Sequence, residues 1–271
     1  MASVTMTAAS RFDLLGRVAM VSGAASGLGR ATALALAEHG ADLMLLDLNA
    51  QGLRQTSSDI QAMGRKAVEL VCDVSAPAQI HTAFRELDRL HGRVDFLANI
   101  AGEGVLARPE DLTLDQAREV FQNLVFGRLV MCQEAGRRML MAGRGSIVNI
   151  GSLASLTALG RGHLVYSMAM GAVAQMTREL STEWAGRGVR VNAILPAQVV
   201  NPSLERRMAA DPKLEGTWLR GIPAGRLGQP TDIQGLMVLL ASDASSWITG
   251  ALIPMDGGNL AANAGATIGA P

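Results

Sequence analysis

The sequence predicts an α/β fold, a doubly wound parallel sheet of about seven strands with helices on both faces. Three observations carry that prediction. Short apolar runs alternate with stretches of helical periodicity, and the links between them are brief. Hydrophobic residues make up 49% of the chain. No uninterrupted apolar run reaches ~18 residues, so the apolar content fits a covered sheet rather than a membrane span. The first apolar run breaks into a glycine-rich turn that opens at once into a helix.

In chain order, the first strand is expected at about 17–21 and its helix at 28–39. Strand 42–46 follows, then a helix near 51–63 and the apolar strand 67–71. A helix over 77–90 leads to strand four at 94–99. One long helix is expected over 114–141, strand five at 146–150, and a second long helix over 164–183. Strand six occupies 190–195, a helix 233–240, and a last strand 251–255. Neither repeats nor linker-like composition divides the chain, so all 271 residues are assigned to one domain. Residues 1–11 and 259–271 read as tails, the second one mobile or docking in an oligomer from near Gly257. Residues 201–225, with Pro202, Pro212 and Pro223, suggest a lid containing a short helix at 203–208.

The turn reads VSGAASGLG, with Gly23, Gly27 and Gly29 spaced G-x-x-x-G-x-G. A backbone that must turn, approach a phosphate and pack helix on strand has no room for a Cβ. The following helix start offers free N–H groups and the positive end of its dipole to a pyrophosphate. Ser22, Gly23, Ser26, Gly27, Leu28 and Gly29 therefore form a candidate dinucleotide cradle. Asp47 ends the second strand, 24 positions after Gly23, where a carboxylate can accept both hydroxyls of an adenosine ribose. It would repel a 2′-phosphate, and neither Ser26 nor Leu48 supplies a compensating cation, so NAD is expected over NADP.

Ligands of such sheets lie beyond the strand C-termini, at the switch point. That rule brings Gly23, Asp47, Asp73, Asn99, Ser152 and Pro196 to one edge. The 24 basic and 24 acidic residues balance, which gives no electrostatic case for nucleic acid or an anionic membrane. Cys72 and Cys132 have no metal-ligand spacing and read as reduced thiols, so no metal is expected. The N-terminus shows no basic region followed by an apolar core, and a cytoplasmic protein is expected.

Further motifs stand in order along the chain: CDV at Cys72–Val74, ANIAG at Ala98–Gly102, Asn123, IVNIGS ending in Ser152, Tyr166, VRVNAILP and TGALIPMDGG. With the glycine turn they resemble the short-chain dehydrogenase/reductase family over about 14–258, which implies a Rossmann-type sheet. The resemblance implies hydride transfer between a nicotinamide and a secondary alcohol or ketone. It makes Tyr166 the acid/base and Ser152 the hydroxyl that orients the substrate oxygen. Asn123 would hold a water of the proton relay through its carbonyl. Asp73 and Val74 would contact adenine, Asn99, Ala101 and Gly102 would brace the cofactor channel, and Pro196 and Val199 would flank the nicotinamide. The two long helices resemble those of the family's subunit contact, implying a homotetramer or dimer. The lid and residues 153–164 suggest a mostly apolar small-molecule alcohol or ketone.

One position departs from the pattern. Tyr-x-x-x-Lys is expected, but the chain reads Tyr166-Ser-Met-Ala-Met170. The two positions share a helix face, and the lysine would hold the nicotinamide ribose and lower the tyrosine pKa. An unperturbed phenol titrates near 10. Met170 leaves three readings open: an introduced substitution, an enzyme with altered proton chemistry, or a degenerate subunit that binds NAD but catalyses poorly; the competing function is a nucleotide-binding protein of this fold with a non-redox or structural role. Lys66 and Lys213 lie elsewhere, while Arg161 and His163 are nearer candidates for the missing charge.

Overall fold

A computed structural model describes residues 7–262. Seven strands form one parallel sheet in the order β3-β2-β1-β4-β5-β6-β7: β1 Val18–Ser22, β2 Asp42–Asp47, β3 Ala67–Val71, β4 Phe96–Asn99, β5 Gly145–Ile150, β6 Val189–Pro196 and β7 Leu252–Met255. The helices are α1 Gly27–Glu38, α2 Ala50–Ala62, α3 Pro77–Leu90, α4 Leu114–Phe121, α5 Gly127–Ala142, α6 Leu164–Trp184, α7 Pro202–Ala210, α8 Leu214–Leu219 and α9 Gln234–Ala241. The chain winds outward from β1 through β2 and β3, then returns to place β4 on the other flank of β1. The crevice opens at that reversal.

Successive residues of each strand feed opposite layers, as the pleat requires. Ala19, Val21, Leu43 and Leu45 pack with α1, α2 and α9 on one face. Val18, Met20, Met44 and Leu46 pack with α3, α5 and α6 on the other. Both faces of the central strands β1, β2 and β4 are buried, which is why those strands read as almost unbroken apolar runs.

Three expectations are revised. The helix predicted over 114–141 is interrupted by a π-helical turn, Gln122–Phe126. A π turn takes up one extra residue, and here it sets Gly127 where an added Cβ would stand 2.0 Å from the Val74 carbonyl. The lid contains two helices rather than one. Asn201 caps α7 with Oδ1 on the Leu204 N–H (2.9 Å), Pro202 starts it, and α8 follows. The C-terminal stretch from Gly257 to Ala262 is docked: Asn259 Nδ2 donates to the Gly221 carbonyl (2.7 Å), and the Gly257 carbonyl accepts from Ala224 (3.0 Å). At the other end, Ala9–Phe12 forms an exposed 3₁₀ turn. Residues 1–6 and 263–271 of the predicted tails lie outside the described residues.

Candidate active site

The cradle is set by glycine sterics. Gly23 has φ +74°, and a Cβ there would meet the Ala101 N–H nitrogen at 3.1 Å. A Cβ on Gly29 would stand 1.9 Å from the Gly23 carbonyl oxygen, so only glycine lets α1 pack against the turn. Gly27, at φ +53°, has open space above it until the Asn201 Cβ of the lid at 4.0 Å. The Ser22 hydroxyl accepts from Ile100 (3.0 Å) and Ala101 (3.2 Å), locking the turn to the end of β4. Side chains cap α2, α4 and α7 through Asn49, Thr113 and Asn201. The α1 start at Ser26 has no side-chain cap, and Leu28 sits in its first turn against the core. An uncapped helix start over a glycine turn suits a phosphate.

Asp47 sits on the lip of this cradle, its Oδ2 accepting from Ala25 (3.0 Å) and its Oδ1 from Asn49 (2.9 Å). Asp73 Oδ1 accepts from the Ser75 N–H (2.8 Å) and hydroxyl (2.7 Å). Val74 is buried beside it, and Gln122 Nε2 ties the segment to the π turn through the Ser75 carbonyl (2.8 Å). Gly102, at φ +130°, completes the turn out of β4.

Beneath the edge runs a buried polar chain. Asn99 Nδ2 donates to Asn149 Oδ1 (2.9 Å) and to Cys132 Sγ (3.3 Å), and Asn149 Nδ2 donates to Thr177 Oγ1 (3.0 Å). Burial pushes the Cys132 thiol up to about 12. Burial, helped by the Asp73 charge, pushes Cys72 up to about 11. Both stay protonated at neutral pH. Among the described residues no cluster of metal-ligating side chains occurs.

Ser152 follows β5, buried, with its hydroxyl accepting from the Ala154 N–H (3.2 Å) and its proton left to donate. Tyr166 lies in the first turn of α6 with its ring against the chain beyond β4: a Cβ on Gly104 would be 2.6 Å from Tyr166 Cδ2. The loop between Ser152 and Tyr166 is anchored to the same segment, Ala107 N–H donating to the Gly162 carbonyl (3.1 Å). Met170 is 1% exposed, packed with Leu124, Val125 and Val173. Asn123 sits in the π turn and lines a groove outside α4; its Oδ1 would be 3.1 Å from a Cβ on Gly102. Pro196 pairs with Met255, and Val199 carries its carbonyl on Asn201 Nδ2 (3.0 Å), bridged to Gly228. The lid's Leu204, Trp218, Ile222 and Leu227 pack on one another rather than facing outward.

Sequence reasoning missed Arg128. It is buried in the first turn of α5, donating to the carbonyls of Ala101 (3.2 Å) and Ile150. The signal was present: Arg128, Cys132, Ala135 and Met139 follow one helical stripe, and three of the four are apolar. Besides others on Thr32, Arg65 and His91, buried atoms without partners among the described residues include Asn99 Oδ1 at the end of β4, Arg128 Nε at the start of α5 and Gln198 Oε1 two residues beyond β6. Such atoms fit a site that a polar ligand completes.

The family model described as enoyl-(acyl carrier protein) reductase matches residues 23–259. The D-threitol dehydrogenase of Mycolicibacterium smegmatis is 39% identical over 248 residues, covering 91% of this chain and 94% of that protein. The galactitol 2-dehydrogenase (L-tagatose-forming) of Cereibacter sphaeroides is 38% identical, covering 91% and 96%. A solved putative NAD(P)-dependent gluconate 5-dehydrogenase from Beutenbergia cavernae, with bound NADP at low occupancy, is 37% identical with a TM-score of 0.87, covering 93% and 99%. The chain belongs to the short-chain dehydrogenase/reductase family; the relatives named here are dehydrogenases, and the solved one carries NADP. No helix among the described residues is long and apolar enough to cross a membrane.

Proposed function

We propose that this chain interconverts a secondary alcohol and a ketone using NAD(H), with Tyr166 exchanging the substrate proton and Ser152 orienting the substrate oxygen. The observation that carries the reading is the seat of Tyr166, the chain's one tyrosine, on the backbone just beyond β4, where the glycine cradle also abuts. The cradle fits a dinucleotide by its missing Cβ atoms and its uncapped helix start. Ser22, Gly23, Ser26, Gly27, Leu28 and Gly29 would hold the pyrophosphate, Asp47, Asp73 and Val74 the adenosine side, and Asn99, Ala101, Gly102, Pro196 and Val199 the nicotinamide side. The nicotinamide supplies the hydride-accepting ring. Tyr166 then holds or releases the oxygen-bound proton, and the free Ser152 O–H fixes that oxygen by a hydrogen bond.

Asp47 supports NAD over NADP, since its carboxylate meets the ribose position with no cation beside it. The lid's apolar residues are consumed in its own packing, so they do not argue for an apolar substrate. The resemblance to threitol and galactitol dehydrogenases favours a polyhydroxylated alcohol or ketose. A homotetramer or dimer through the helices over 114–141 and 164–183 is part of this reading, and an apolar groove beside α4 lined by Leu114, Ala117, Phe121 and Phe126 supports it. The whole chain is read as one domain.

The test is NADH and NADPH binding by fluorescence, followed by turnover on a panel of polyols and ketoses with each dinucleotide, Tyr166→Phe serving as control. Tight binding with no turnover on any member would favour the second reading, a nucleotide-binding protein without redox function, which Met170 supports. Tighter binding of NADPH than NADH would overturn the assignment to Asp47.

A further inference from the structure

Beyond their last ladder pair, Asn99 with Asn149, β4 and β5 no longer pair with each other. One chain runs on to Ala101 and Gly102, the other through Ile150 to Ser152. Arg128 spans that gap from α5. One terminal nitrogen donates to the Ala101 carbonyl (3.2 Å) and the other to the Ile150 carbonyl.

The two oxygens belong to segments with different duties. Ala101 is the joint of the glycine cradle: its N–H donates to Ser22 Oγ (3.2 Å), and a Cβ on Gly23 would stand 3.1 Å from its nitrogen. Ile150 stands two residues before Ser152. The serine turn is pinned to β6 by the Gly151 N–H on the Ile194 carbonyl (2.8 Å), and to α6 by Ser155 Oγ on the Met170 carbonyl (2.9 Å). The guanidinium ties it to the cradle.

Arginine is a costly choice for this place. Arg128 is 4% exposed, and its Nε has no partner among the described residues. A cation withdrawn from water with incomplete pairing costs stability. Cys132, Ala135 and Met139, on the same stripe of α5, show that the seam accepts small or apolar side chains. What such a residue lacks is a planar fork of donors at fixed spacing, able to take two carbonyls at once.

We infer that Arg128 is a positioning residue, setting Ser152 against the cofactor shelf at Ala101 and Gly102 by holding the Ala101 and Ile150 carbonyls at one spacing. It acts through Ser152 rather than on the reacting atoms. The inference rests on the reading of Ser152 as the hydroxyl that orients the substrate oxygen.

Amide exchange in the protein alone, followed by mass spectrometry, tests the clamp and decides it alone if no polyol is turned over. Arg128→Met should speed exchange at 100–104 and 151–155 about tenfold and leave β2 unchanged. Arg128→Lys, with one nitrogen in place of the fork, should speed the same two segments and serves should the methionine variant not fold. Equal speeding in β2, or no change in either segment, overturns the inference. Oxidation of D-threitol or galactitol by NAD then tests what the clamp is for. Arg128→Met should lower kcat roughly ten- to hundredfold, the scale of a misplacement of about 1 Å, with NADH affinity close to wild type. In a Ser152→Ala background the same change should cost less than about threefold, because the group it positions is already gone. Equal losses in the two backgrounds overturn the positioning role. Undiminished kcat in Ser152→Ala, beside exchange confined to the two segments, overturns the reading of Ser152 instead.

Discussion

The two halves of the sheet edge are built by different means. On the β1–β3 side the cradle is a matter of backbone: two glycines at positive φ, a third where a Cβ would overlap a carbonyl, and an uncapped helix start. On the β4–β6 side the geometry is made by side chains from distant helices. There the Asn99–Asn149–Thr177 chain ties β4, β5 and α6 together, Tyr166 and Met170 share an apolar cluster with Leu124 and Val125, and Arg128 of α5 holds the carbonyls of Ala101 and Ile150. A backbone-defined half tolerates few substitutions and repeats the same sequence signature wherever it occurs. The half defined by side chains depends on contacts between residues far apart in the chain.

The largest expected effect lies in the second half. Tyr166→Phe should lower kcat/KM by about 10²–10⁴-fold while NADH binding persists, the usual worth of a general acid/base. Equal loss of binding would place the tyrosine in the cradle rather than the chemistry. In the first half, Gly29→Ala should cost about 3 kcal/mol or more in thermal or urea unfolding, since backbone rather than a yielding side chain lies in the way. Gly27→Ala should cost only about 1 kcal/mol, for its positive φ. If the two alanine variants prove alike, sterics are not what defines the cradle.

Asp47→Ala should narrow the preference for NADH over NADPH about tenfold in titrations. It should also cost about 1 kcal/mol through the freed Ala25 and Asn49 N–H groups. The smallest effect concerns pH. Burial holds His91 and His163 below the usual imidazole value. Between those lowered values and about 6.5 the unfolded chain binds more protons than the folded one, so stability should fall as pH drops through that window. His91→Gln should flatten part of that slope in urea titrations at pH 5 to 7; an unaltered slope would assign it elsewhere.

Most of the architecture was legible in the residues because its signals are local. The strand boundaries shift by only a residue or two, and the switch point follows from connectivity. The lid's second helix was obscured, because α8 is short and held by its cluster with Trp218 and Ile222 rather than by periodicity. The π turn was hidden as well. One extra residue in a helix leaves no compositional mark until Gly127 is seen against the Val74 carbonyl.

What the sequence by itself determined was the parallel sheet, the glycine cradle, Asp47 at its lip and the absence of lysine four residues after Tyr166. Each depends on neighbours within a few positions or on a spacing that the backbone enforces. Only the tertiary structure decided that Arg128 is buried beneath the sheet edge and donates to the carbonyls of Ala101 and Ile150. Those carbonyls are 27 and 22 positions away in the chain, and only the packing of α5 on β4 and β5 brings them within hydrogen-bond reach.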